Sequence, residues 1–195
     1  MSLFNLYFQL GINHILDFES YDHILFITTL IAVYYLKQWR QILVLVTAFT
    51  IGHATTLVLS TLNIINVNPS IVEFLIPVTI IITALSNIVT KTTSVINKKL
   101  YYTKYAISVV FGLIHGLGFS SYLKSMLSAS DDMIMPLLAF NLGIETGQFI
   151  VVGIFLSMSL VFLNKLKVSQ REWNLFVSGI GFGVAFILAL ERLQF

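Results

Sequence analysis

Apolar runs long enough to cross a bilayer recur along almost the whole 195-residue chain. A bilayer core takes ~20 consecutive apolar residues as one helix, and within it every backbone amide needs an internal partner. Six runs qualify, at about 21–36, 41–62, 70–90, 102–123, 134–163 and 173–190. Only 10% of residues are charged against 57% hydrophobic, where soluble domains carry ~25% charge. The pattern predicts an all-α polytopic membrane bundle of about six transmembrane helices, one integral membrane domain over 1–195. Segment 1–19 precedes it on the outer face, and its apolar stretch 3–16 is too short to span and suits a short interfacial or re-entrant helix. The first run is short unless it begins near Ser20, which would cap it and leave Asp22 in the first turn, where the helix dipole favours an anion.

Basic residues set the orientation. Lys37 and Arg40 lie between the first two runs, Lys91, Lys98, Lys99 and Lys104 between the third and fourth, and Lys165, Lys167 and Arg171 between the last two. The remaining connections and the carboxyl end carry only Lys124, opposed by Asp131 and Asp132, and Arg192 beside Glu191. The positive-inside rule then places the three basic connections in the cytoplasm and both termini outside. The start "MSLFNLYFQLG" lacks the basic n-region and cleavage site of a secretory signal, so the chain reads as uncleaved. A net charge of +2 with no basic–aromatic patch excludes a nucleic-acid partner. With no cysteine, disulfides, thiolate catalysis and Cys-based zinc or iron–sulfur sites are excluded as well.

Ionisable groups inside membrane spans are costly and mark function. His53, His115 and Glu145 fall between mid-membrane and its outer half, and His14, Asp22 and His23 of "HILDFESYDH" meet them from outside. Helical spacing puts Thr50, His53 and Ser60 on one face, Asn141, Glu145 and Gln148 on another, and Ser108, Gly112, His115 and Tyr122 on a third. Thr79, Thr83 and Asn87 extend the polar set, with Glu73 near the outer end of their run. "GLIHG" and "GIETG" are small-residue motifs of the kind that bring membrane helices close. Imidazole and carboxylate suit nickel, cobalt, zinc and ferrous iron. Lack of thiolate disfavours copper(I), which Met126, Met133 and Met135 nevertheless keep open.

The segments "GINHILDFESYDHILF", "FTIGHATTL", "FGLIHGLGF" and "FNLGIETGQ" resemble the signature segments of the HupE/UreJ family of small bacterial membrane proteins. The resemblance runs from Gly11 to about Gln148, and the last run matches only in hydrophobic character. It implies a secondary permease for nickel, and for cobalt, in the bacterial inner membrane. "H…DH" also resembles the H-x4-DH element of nickel/cobalt transporters, with seven residues, "ILDFESY", in place of four. By position, the resemblance implies His14, Asp22, His23, His53, His115 and Glu145 as the metal-associated residues. Thr50, Asn141 and Gln148 would line the pathway or support the ligands.

The expectation is therefore a divalent-metal permease: His14, Asp22 and His23 capture the ion, and His53, His115 and Glu145 hold it centrally or pass it inward. His14 takes part only if the amino-terminal helix folds back over the bundle. Ligand deprotonation predicts uptake that weakens as pH falls through the histidine range. The rival is a zinc-dependent intramembrane hydrolase acting on a lipid or membrane peptide near the outer leaflet, with Glu145 as general base. A polar site continuing toward the cytoplasm favours transport, and a lateral opening on a metal-bound water favours the enzyme. A non-transporting metal sensor or assembly factor is a third reading. Partners are the metal ion, the lipid bilayer and, in an oligomer, further copies of the chain.

Overall fold

A computed structural model describes residues 2–17, 21–90, 98–127 and 133–193, without the side chains of 98–100, 121, 122 and 127. The expectations for Ser20, Lys91, Asp131 and Asp132, and for the side chains of Lys98, Lys99 and Tyr122, lie outside the described residues. Among the described residues every regular element is helical: α1 Leu3–Leu16, α2 Asp22–Ile31, α3 Trp39–Thr61, α4 Pro69–Val89, α5 Lys98–Gly118, α6 Ser120–Leu127, α7 Ile134–Leu160 and α8 Gln170–Glu191. A 3-10 turn, Leu36–Gln38, leads into α3, and a π turn, Val161–Lys165, prolongs α7. Local chemistry explains several starts. Asn68 Oδ1 accepts the Ser70 amide ahead of Pro69 at the first turn of α4. Ser169 and Glu172 form a reciprocal capping box on α8.

Four helical stretches are long and apolar enough to cross a membrane: Leu36–Thr61, Pro69–Val89, Ile134–Lys165 and Gln170–Glu191. The first expected span, 21–36, is corrected. Its helix α2 is ten residues long, ~15 Å at 1.5 Å per residue, or about half a bilayer core. The expected 102–123 span ends earlier, because Gly118 closes α5 and a separate short helix follows.

The amino-terminal helix α1 packs lengthwise on α7. Gly11 sits against Phe140 O and Gly143, Gly143 against Phe8 O, and Gly147 against Ile15, so the two helices run parallel. α2 continues in the same direction, with Ile24 and Thr28 beside Ile150, Val151, Ile154 and Met158. A second parallel pair, α3 with α5, is built the same way. Gly52 abuts Val109 O, Gly112 abuts Phe49 O, and Gly116 abuts His53 O. A Cβ at any of these three would meet backbone first, and at Gly116 the Thr56 hydroxyl as well. Thr56 Oγ1 donates to Leu113 O at 2.7 Å and Ser108 Oγ to Leu45 O at 2.8 Å across that seam.

The third pair, α4 with α8, is antiparallel and polar at its ends. Arg171 donates to the carbonyls of Asn87, Ile88 and Thr90 at the end of α4, satisfying groups a helix terminus leaves unpaired. Asn174 also donates to Asn87 O, at 3.0 Å. α2 docks on this pair: Asn87 Nδ2 donates to Thr29 O, Gly181 faces Thr29, and Gln170 donates to Ala32 O and Tyr34 O.

Candidate metal centre

Each glycine seam carries histidines. Gly112 and Gly116 clasp the backbone of His53, one against its N and the other against its O, and His115 sits between them in sequence. Gly11 brings α1 against α7 one turn before His14. His23 heads α2. The bare backbone contacts thus position the imidazoles of His14, His53 and His115, and His23 joins them from the start of α2.

The ring centroids of His14 and His23 are 4.7 Å apart, those of His23 and His53 5.8 Å, and those of His14 and His53 6.2 Å. One nitrogen from each of these three lies within 4.8 Å of the other two. A divalent ion between them, at metal–nitrogen bonds of about 2.1 Å, asks the three rings to draw in. His115 stands beside the trio, 5.5 Å from His23 by ring centroid. Phe26, Phe49, Phe119 and Phe140 wall the cluster.

The nitrogens are the informative atoms. Among the described residues, Nε2 of His14, His23 and His115 and both ring nitrogens of His53 are buried without a hydrogen-bond partner. Nearly all buried polar groups have partners, and each orphan costs about 1–3 kcal/mol. Several orphans converging on one spot fit lone pairs kept for a cation. His115 Nδ1 lies 2.8 Å from Phe111 O, and with that nitrogen donating, Nε2 is the free lone pair. Asp22 Oδ1 lies 3.0 Å from His23 Nδ1, at ion-pair distance though off hydrogen-bond geometry, and accepts the His23 amide at 2.9 Å.

A cavity of about 200 Å³ leads to the cluster, lined by His14, Asp22, His23, His115 and Phe119, with Glu73 and Arg192 at its rim. His53 does not line it.

Glu145 is elsewhere. Its Oε1 accepts from Thr47 Oγ1 at 3.0 Å, and Thr47 precedes His53 by six residues on α3, ~9 Å along the axis. Gln148 Oε1 accepts from Thr50 Oγ1 at 2.6 Å, leaving its Nε2 buried and unpartnered among the described residues. These two pairs continue the polar line from His53 toward the start of α3. Asn141, one turn from Glu145 on α7, donates to Leu137 O at 2.8 Å and keeps a buried Oδ1 that has no partner among the described residues.

Arg192 escaped the sequence reading as a site component, and Glu73 entered it only as the outer end of a polar set. Arg192 Nη2 is 3.8 Å from Asp22 Oδ2, and its Nη1 donates to Glu73 O at 3.0 Å. Pro77 lies inside α4, four residues past Glu73, and having no N–H it leaves the Glu73 carbonyl without its helical donor. That Glu73-x-x-x-Pro77 spacing was the available signal.

Fold and site together define a polytopic helical membrane protein with a buried histidine cluster reached from one face. The family model for HupE / UreJ proteins matches residues 1–191. The chain belongs to the HupE/UreJ family, which marks it as a membrane protein related to nickel and cobalt transport. No curated protein and no solved structure matches it.

Proposed function

We propose that this protein is a nickel or cobalt permease of the bacterial inner membrane, with the ion itself as substrate. The ion would enter the outer cavity and exchange its water for the imidazoles of His14, His23 and His53, with Asp22 and His115 alongside. Neutral imidazole suits nickel, cobalt and zinc alike, so donor type alone does not select among them. Six crossings with both termini outside accord with the loop charges. In this reading α1 and α2 are the two halves of the first crossing, broken at the metal. Broken helices that line a central site are a recurrent device of secondary transporters.

The observation that carries this reading is the polar line beyond the cluster. From His53, the Thr50–Gln148 and Thr47–Glu145 pairs provide oxygen ligands at successive turns toward the cytoplasmic end of α3. A hydrolase needs its general base within hydrogen-bond reach of the metal-bound water. Glu145 is bonded to Thr47 about two turns away, which favours a station on a route over a catalytic base.

The deciding experiment is 63Ni uptake into proteoliposomes holding the purified chain, compared with His53→Ala and Glu145→Gln. The proposal expects saturable uptake lost in both. Uptake by neither the wild type nor the variants, from protein that is folded and binds nickel, would move the assignment to a sensor or a hydrolase.

A further inference from the structure

Arg192 poses a problem for a cation site, since a guanidinium at the mouth repels the ion that must pass. Its placement is nevertheless built. Pro77 strips the Glu73 carbonyl of its helical donor, and Arg192 Nη1 takes that carbonyl at 3.0 Å while Nη2 points to Asp22 at 3.8 Å. Asp22 is the carboxylate beside His23, and Glu73, Asp22 and Arg192 line the same cavity. Arg192 therefore stands between the Asp22 carboxylate at the histidine cluster and the backbone carbonyl of Glu73, a residue that is itself exposed.

We infer that Arg192 is a tethered counter-cation for Asp22, exchanged for the incoming divalent ion and handed to Glu73. Asp22 is mostly buried and would be costly to leave as an unpaired anion; Arg192 supplies the positive charge. When a divalent ion arrives at His14 and His23, repulsion between it and the guanidinium favours the outward position on the Glu73 carboxylate. The return of Arg192 to Asp22 then competes with the ion and speeds its release. The arginine thus trades affinity for turnover, which a carrier needs and a storage site does not. The inference rests on the metal-permease reading and names a residue that regulates that site.

The test is a calorimetric titration of Ni²⁺ and Co²⁺ into the full-length chain in nanodiscs, for wild type, Arg192→Gln, Arg192→Lys, Glu73→Gln and the Arg192→Gln/Glu73→Gln double variant. Removing a unit charge ~8 Å from a divalent ion should tighten binding about five- to tenfold in Arg192→Gln, while Arg192→Lys stays near wild type. Glu73→Gln should weaken binding by a similar factor, and that effect should vanish in the Arg192→Gln background, because the two residues act through each other. Unchanged or weaker affinity in folded Arg192→Gln overturns the inference, as does a Glu73→Gln effect of equal size in both backgrounds. If the folded wild type binds neither metal, the permease reading itself fails; if it binds and only the Arg192 pattern is missing, the permease reading stands without this device.

Discussion

Asp22 Oδ1 stands 3.0 Å from His23 Nδ1 while accepting the His23 amide at 2.9 Å, so one carboxylate oxygen takes an amide at the start of α2 and sets its negative charge beside the ring. Carboxylates behind metal-binding imidazoles fix the ring and raise its basicity. Asp22→Asn keeps the shape and loses the charge. It should weaken nickel affinity by about 10–100-fold with α2 still formed, as read by calorimetry alongside circular dichroism. Wild-type affinity would remove Asp22 from the site.

His53 is fully buried with both nitrogens unpartnered among the described residues. Replacing it should relieve buried polar cost while deleting a ligand. His53→Leu is accordingly expected to hold or raise the thermal midpoint of the metal-free protein and to abolish tight nickel binding. A large drop in midpoint would mean that His53 serves packing instead.

Glu145 lies two pairs beyond the histidines, held by Thr47. Glu145→Gln keeps a hydrogen-bonding group there and leaves the outer cluster untouched. Equilibrium nickel affinity should stay within about threefold of wild type, less than 1 kcal/mol, while uptake falls at least tenfold. Parallel losses of affinity and flux would place Glu145 at the histidine site after all.

Protons compete for the lone pairs that a metal uses. An imidazole must be neutral to hold the ion, so ligation by His14, His23 and His53 predicts nickel affinity that declines on acidification and recovers on return to neutral pH. Titrations at stepped pH in two buffers of different ionisation enthalpy measure the protons released per ion. Affinity unchanged over the whole pH range in which the protein stays folded would rule out imidazole ligation.

Gly112→Ala places a methyl group against Phe49 O and the His53 amide, whereas a Cβ at Gly179 or Gly183 on α8 meets nothing within 4 Å among the described residues. Prising α3 from α5 should cost Gly112→Ala a few kcal/mol, on the scale of an overpacked core, and lower the melting midpoint in detergent. Gly179→Ala and Gly183→Ala should be neutral.

Much of this was legible in the chain because membrane helices expose their chemistry as periodicity. "GLIHG" and "GIETG" announced close packing, and their partners proved to be α3 and α1. His14, His23, His53 and His115 were legible as one depth zone because polar residues are rare enough in such a chain to stand out. Other features depend on partners distant in sequence. Hydropathy showed residues 3–16 as too short to span, and only the glycine contacts with α7 reveal that they run along a long helix. Asn141, Glu145 and Gln148 share a face as spacing predicts, but a shared face says nothing of level. Glu145 therefore meets Thr47 rather than the histidines. Arg192 looked like a terminal charge, because a proline-freed carbonyl 119 residues away leaves no mark near it.

The glycine seams divide the molecule into stiff couples, α1 with α7 and α3 with α5, while α2 leans on α4 and α8. His14 belongs to the first couple, His53 and His115 to the second, and His23 to the third group. A guest gripped by all of them would act as a keystone, joining bodies that otherwise meet at this level through aromatic rings and, further along, through the Thr47–Glu145 and Thr50–Gln148 pairs. A ligand shifts a conformational equilibrium only by its unequal affinity for the two shapes, and here that inequality is geometric. On the proposed permease reading, the cargo would be held tightly only while the three bodies are drawn together, and whatever parts them would set it free.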